Sequence, residues 1–152
     1  MFVKIKKFHE DAVVPKYAKT GDAGMDMTAV SVERKGDLVI YDLGIGMEIP
    51  EGYVGLIFPR SSICKYDLEL TNSVGVIDSG YRGNIKAFFR DTGYKPIKTD
   101  NDNTIASLGK AYEVGDRVCQ IMIVPHPHIT FVEVNELEDS ERGEGGFGSS
   151  GK

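Results

Sequence analysis

Cysteine and histidine are scarce in this chain of 152 residues: Cys64 and Cys119, and His9, His126 and His128. The cysteines stand far apart among apolar or mixed neighbours. They read as free, mostly buried thiols rather than a disulfide framework or a thiolate metal site. His126 and His128 flank Pro127 with no third ligand at a zinc spacing, so no zinc centre is expected. No apolar run approaches the roughly 18 residues of a membrane helix. No glycine-rich stretch leads into Gly-Lys-Ser or Gly-Lys-Thr, which removes a P-loop, and no serine elbow of the hydrolase type is present. Helical periodicity is poor nearly everywhere. No signal-like hydrophobic stretch follows Met1 to Lys7, so a cytoplasmic protein with no membrane association is expected.

What is present fits one globular domain: 41% hydrophobic and 27% charged residues. The formal net charge of -5 argues against stable nucleic acid binding, which needs a basic patch. It leaves room for a small anion, because a local Arg, a backbone amide or a metal ion holds phosphate inside an acidic protein.

The chain reads as short strands separated by turns. Phe2 to Phe8 alternates weakly. Leu38 to Ile40 and Leu43 to Ile49 are strand-like and stop at Pro50-Glu51-Gly52. Tyr53 to Phe58 is apolar and ends at Pro59. Val74 to Ile77 and Ile85 to Phe89 flank a glycine-bounded turn that reads as a hairpin. Val118 to Val124 is apolar, and Thr130 to Val134 is β-branched and aromatic. The one helical candidate is Ser61 to Asp67, two turns at most, with Ser61 or Ser62 as its cap. Asp91 to Ser107 is polar and reads as a surface excursion or irregular hairpin. With 18 glycines at turns, the expected class is all-β, a sandwich or barrel with one short helix.

Several segments can carry chemistry, each with a plainer alternative. Asp78 lies where a strand runs into Ser79-Gly80-Tyr81, placed either for ligand contact or to cap its own turn. Pro59-Arg60-Ser61-Ser62 opens a helix start that binds anions or is simply capped. Gly115-Asp116-Arg117 with Gln120 opens a strand, or is a turn with a surface ion pair. Asp26 sits between Met25 and Met27 as a structural or metal-linked carboxylate. From Arg142 to Gly151, five glycines in ten residues preclude regular structure. This is either a disordered terminus or a mobile lid, in which glycine amides wrap phosphate, Arg142 forks onto it and Phe147 stacks on a base.

In order, the chain carries Ala23-Gly24-Met25-Asp26-Met27-Thr28-Ala29, Pro59-Arg60-Ser61-Ser62, Gly75-Val76-Ile77-Asp78-Ser79-Gly80-Tyr81-Arg82-Gly83-Asn84-Ile85, Gly115-Asp116-Arg117-Val118-Cys119-Gln120 and the Arg142 to Gly151 tail. Together these resemble the five motifs of the trimeric dUTP diphosphatase family, over nearly the whole length. The third and fifth are the specific ones. The polar segment Pro96 to Ser107 is longer than the family pattern, and Ser62 stands where some members have glycine.

The resemblance implies a jelly-roll-like domain over 1–132 and a mobile glycine-rich lid over 133–152. It implies a homotrimer with shared sites, magnesium as cofactor, and hydrolysis of dUTP to dUMP and pyrophosphate by water attack on the α-phosphorus. In that reading Asp78 orients and deprotonates the water, and Asp26 meets the metal through water. Arg60, Ser61, Ser62 and Gln120 contact phosphates. Asn72, Gly75, Val76, Ile77 and Tyr81 form the uracil and deoxyribose pocket, and Arg142, Phe147, Gly148 and Ser149 belong to the lid. A dCTP deaminase-like relative would carry glutamate after the tyrosine, where this chain has Arg82. A non-enzymatic β-sandwich binding module is the other alternative.

Overall fold

The computed structural model describes residues 1–98 and 104–146. Twelve strands follow one another among them: β1 (Lys4–Lys7), β2 (Met25–Thr28), β3 (Ser31–Lys35), β4 (Leu38–Asp42), β5 (Ile45–Glu48), β6 (Tyr53–Pro59), β7 (Leu68–Leu70), β8 (Gly75–Ile77), β9 (Lys86–Asp91), β10 (Lys95–Lys98), β11 (Thr104–Ser107) and β12 (Arg117–Pro125). Two four-stranded sheets, ordered β2-β12-β6-β8 and β3-β4-β9-β7, share one apolar core. Met27, Ile57, Cys119 and Ile121 enter it from the first sheet, and Val39, Tyr41, Ala87 and Phe89 from the second. The period-two alternation that places them is plain on β9, where Ala87, Phe89 and Asp91 are buried and Lys86, Phe88 and Arg90 are exposed. Strands β1 and β5 form a separate pair that adds Ile45 and Met47 to the core.

Four expectations change. The sheets are open, so the fold is a sandwich and no closed barrel forms among the described residues. The helix is a five-residue 3-10 segment, Ser61–Lys65, with Arg60 at the cap position and no side-chain cap bond. The Ser62 hydroxyl is instead taken by Arg60 and Tyr112. Strands β8 and β9 do not form a hairpin. β8 pairs with β6 and β9 with β4 and β7, so residues 78–85 cross from one sheet to the other. Ile85 lands that crossover, its N–H on the Ile45 carbonyl and its own carbonyl on the Leu43 N–H. Lastly, Thr130 to Val134 forms no strand. Its pattern suits one, but a strand needs a partner edge for its backbone groups, and this chain offers none there.

The polar segment is a two-stranded ribbon in which Ile97 pairs with Ile105 across β10 and β11. Its root is a buried acid. Asp91, 2% exposed, accepts hydrogen bonds from Arg34 Nη1 at 2.8 Å and from the N–H groups of Gly93 and Gly109 at 3.0 Å each. Gly109 approaches so closely that a methyl there would overlap both Asp91 Oδ1 and Asp67 Cβ. Asp91→Ala would leave a guanidinium and two N–H groups without their acceptor. It is expected to cost about 3 kcal/mol of stability, read by urea unfolding; a loss below about 1 kcal/mol, the size of an ordinary surface change, would contradict this anchoring.

Candidate active site

Two clefts hold most of the residues singled out above. The first, ≈ 650 Å³, is lined by Lys16, Asp26, Arg60, Ser61 and Gln120 among others. Asp26 lies on β2 and Gln120 on β12, directly paired. Arg60 follows the last residue of β6. The three strands therefore deliver one acid, one amide and one guanidinium to the same edge. The Asp26 carboxylate is fully engaged: Oδ1 accepts from Arg60 Nε at 2.5 Å, and Oδ2 from Arg117 Nη1 at 3.0 Å and Arg60 Nη2 at 3.4 Å. Arg60 Nη1 also donates to Ser62 Oγ at 3.1 Å and to the Arg117 carbonyl at 3.0 Å. Gln120 Nε2 donates to the Pro59 carbonyl at 2.9 Å. Its Oε1 faces Gly24, where a Cβ would come within 2.6 Å, so any larger residue there would push the Gln120 amide aside.

Beneath this edge the hydroxyls are ordered. Ser62 Oγ lies 3.1 Å from the Tyr112 hydroxyl, and Tyr41 donates to the Tyr112 carbonyl at 2.8 Å. Burial pushes the Tyr41 hydroxyl up to about 12 and raises that of Tyr112 as well, so both stay protonated donors at neutral pH. Ser61 itself is exposed.

The second cleft, ≈ 330 Å³, is lined by Val76, Ile77, Asp78, Tyr81, Asn84, Ile85, Lys86 and Phe88. Gly75 begins β8 and is buried against Ile57, where a Cβ would meet Ile57 Cβ at 3.1 Å. Asp78 is exposed, and among the described residues its carboxylate accepts no hydrogen bond; the turn is closed by its main-chain carbonyl, which accepts from Tyr81 N–H at 3.0 Å. The turn-capping alternative is thus not what its side chain does. Asn72 is exposed in the turn before β8 and does not line this cleft.

Within one chain the clefts stay apart. Ile77, just before Asp78, pairs with Gly55 near the start of β6, whereas Arg60 follows its end. Gly55 to Arg60 spans about 17 Å at roughly 3.3 Å per residue. The described part of the tail, through Gly146, lines neither cleft: Arg142 Nε donates to the Gly145 carbonyl at 2.9 Å within its own turn. Phe147, Gly148 and Ser149 lie outside the described residues.

The sequence pattern that defines the family described as dUTPase matches residues 10–108 and 110–151. The chain belongs to the dUTPase family. It is 38% identical to the deoxyuridine 5'-triphosphate nucleotidohydrolase of Escherichia phage T5, over 98% of both chains. It is 37% identical to that of Thermobifida fusca, over 98% of this chain and 78% of the relative. Among solved structures it is similar to the Staphylococcus bacteriophage 80alpha dUTPase with dUPNHPP, at 30% identity and a TM-score of 0.79, covering 99% of each chain.

Seen as a dUTPase, the chain has two cations at the first cleft that sequence reasoning missed. Lys16 lines it, and Arg117, more exposed than Arg60, reaches in to Asp26. In the sequence Arg117 stands only in the Gly115-Asp116-Arg117 segment, a strand opening or a turn with a surface ion pair. Its partner proved to be Asp26, across the β2 and β12 pairing, where the register slips between Arg117 and Cys119. The two cysteines also divide. Cys64 is exposed, since the 3-10 segment that carries it buries no residue, while Cys119 points into the core. Burial, and then the negative charge of Asp26, push the Cys119 thiol up to about 12. Only a thiolate reacts, so an alkylating reagent at about pH 8 should label Cys64 alone in the folded protein and both cysteines in denaturant, as read by mass spectrometry.

Proposed function

We infer that the chain hydrolyses dUTP to dUMP and pyrophosphate, with magnesium, at a site completed between subunits of a trimer. The observation that carries this reading is the unengaged carboxylate of Asp78. It stands beside Tyr81 in a small, partly apolar cleft, while the cations stand at the other end of β6. A nucleotide needs both a base and sugar pocket and a cationic clasp for its phosphates.

Asp78 holds the attacking water in line with the α-phosphorus and accepts its proton as the bond to pyrophosphate breaks. Charge then grows on the leaving phosphates. Lys16 and Gln120 line the cleft where it is met, and Arg117 stands at its edge, bound to Asp26. Arg60 contributes mainly by holding Asp26 and Ser62 in place, because most of its N–H groups are already used. Ser61 and Ser62 offer hydroxyls at the same edge. Val76, Ile77 and Tyr81 surround uracil and deoxyribose, with Gly75 and Asn72 shaping the strand entrance.

The donor set suits magnesium brought in by the nucleotide. Among the described residues no group of three or more His, Cys, Asp or Glu could hold a metal ion. Mg²⁺ is usually bound by substrate phosphates, waters and one or two carboxylates. Asp26, both oxygens on guanidinium groups, fits an outer contact through water. The ion, when bound, neutralises phosphate charge.

The tail supports sharing between subunits. Phe131 is 92% and Leu137 88% exposed, and Ile129, Val132 and Val134 are exposed too, a run of apolar residues with nothing to cover it in a single chain. In the trimer this arm lies on a neighbour, and residues 133–152 close as a lid, with Arg142 on phosphate and Phe147, Gly148 and Ser149 over the nucleotide. The deaminase alternative finds no support at Arg82, whose Nη1 donates to the Ser79 and Tyr81 carbonyls and braces the loop.

Asp78→Asn should lower kcat by about 10³-fold or more while dUTP still binds, measured by pyrophosphate release and by calorimetry. Near-normal turnover would remove Asp78 from the reaction and favour a binding module. UTP should be used at least about 10²-fold less well than dUTP, as a tight pocket meeting an added hydroxyl demands. A chain lacking the Arg142 and Phe147 side chains and a chain carrying Asp78→Asn, each inactive alone, should regain activity when mixed and allowed to exchange subunits. Verified mixed trimers without activity would refute a lid that crosses between subunits.

A further inference from the structure

We propose that Asp42 and Asn84 are positioning residues that fix the ring of Tyr81 and so set the discrimination between deoxyribose and ribose; this rests on the reading of Tyr81 as the floor of the sugar pocket. Asp42 ends β4, in the sheet opposite the one that carries β8. Its Oδ1 accepts the Gly44 N–H and the Asn84 Nδ2, both at 2.7 Å, and its Oδ2 accepts the same Nδ2 at 2.9 Å. Lys86 Nζ stands 3.7 Å from Oδ2 on the solvent side. The amide of Asn84 cannot be turned round, because its oxygen would then face a carboxylate. Asn84 Oδ1 is moreover the one buried side-chain polar atom without a hydrogen-bond partner among the described residues. Asp42 is therefore the side-chain group that holds this amide.

From Asn84 the chain of contacts reaches the cleft. The main-chain carbonyl of Asn84 accepts the Tyr81 hydroxyl at 3.0 Å. Tyr81 is 44% exposed, so core packing does not immobilise its ring. Two things locate it: the Asn84 carbonyl at the hydroxyl end, and Gly83 beneath, where a single methyl would overlap the ring. Asn84 and Tyr81 line the same cleft as Asp78. The crossover that carries Asp78 and Tyr81 is thus tied to the far sheet by the Asp42 side chain. The Asn84 carbonyl shares its peptide unit with the Ile85 N–H, which is already bound to the Ile45 carbonyl, so loss of the side-chain tie tilts that unit about this bond and the tyrosine follows it, opening space beside the sugar.

The test compares kcat and KM for dUTP and UTP, with melting temperatures, in the wild type, Asn84→Asp, Asn84→Ala, Asp42→Asn, the double variant D42N/N84D and Tyr81→Phe. Asn84→Asp sets carboxylate against carboxylate. Asp42→Asn sets an amide N–H₂ against a second donor. In the double variant the amide at position 42 donates to the carboxylate at position 84 while its oxygen still accepts from Gly44. Each single variant should lower the dUTP-to-UTP ratio of kcat/KM by about tenfold, the scale expected for a small misplacement of a positioning group. The double variant should restore it, and Asn84→Ala should add nothing to Tyr81→Phe. Asn84→Ala carries the test if the repulsive variant fails to fold. A ratio unchanged in folded Asn84→Ala and Asp42→Asn, but shifted in Tyr81→Phe, overturns the role of Asp42 and Asn84 alone. A wild type that uses UTP as readily as dUTP overturns the reading of Tyr81, and this inference with it.

Discussion

Strand β6 is the constraint on which the site depends. It is paired along its length with β12 and over Gly55 to Ile57 with β8, so its register is fixed from both sides. That pairing puts Asp78 beside the start of the strand and Arg60 just past its end. No rotamer change brings them together, because moving either would break ladder hydrogen bonds whose groups have no other partners. The separation of base from cations follows from strand pairing. On the proposed reading, a site that needs both would draw on a second copy of the chain, and closed symmetry would supply it without leaving open ends.

At the cationic end a single carboxylate does the organising. Asp26 meets two guanidinium groups and leaves the cluster with a surplus of positive charge, which Lys16 increases. An overall charge of -5 is no obstacle, since screening confines the influence of remote surface acids while the cleft charges act at contact distance. Asp26 also spares the structure from holding two arginines side by side unneutralised when no phosphate is bound. Tyr112, its hydroxyl at Ser62 and its main-chain carbonyl on the Tyr41 hydroxyl, extends this order into the core.

What could be read from the sequence was local. Apolar runs closed by turn residues placed most of the strands, and the polar segment after Asp91 did prove to be a ribbon. The residues of the two clefts were visible as motifs because their types are restricted by chemistry. What was not visible depended on pairing between distant segments. Ile77-Asp78 and Ile85 look like the arms of a hairpin until β6 and β4 take them as partners in different sheets. Arg117 looks like part of a turn with a surface ion pair until the pairing of β2 and β12 brings Asp26 within 3.0 Å of its guanidinium. The Asp42 to Asn84 bond joins residues with no local pattern between them. A fold of non-local pairings hides such links from any reading that runs along the chain.

Within the proposed lid, the apolar and the glycine-rich parts of the tail have different physical tasks. Ordering a chain costs roughly 1–2 kcal/mol per residue, and glycine raises the figure, so a lid from Arg142 onward could not be held by an arginine and an aromatic alone if some twenty residues had to be ordered at once. The apolar residues from Ile129 to Leu137 divide the task. Burying several of them on a neighbour contributes about 1.5–3 kcal/mol each and is independent of nucleotide. The arm would then be fixed on assembly, and only the short glycine-rich segment beyond it would remain to be ordered by substrate. Closure becomes a local event, small enough for a charge-assisted fork and a base stack to drive. On this account assembly and catalysis are coupled through the arm: a chain without a neighbour has nowhere to anchor it, and its own two clefts would stay apart with no lid over them.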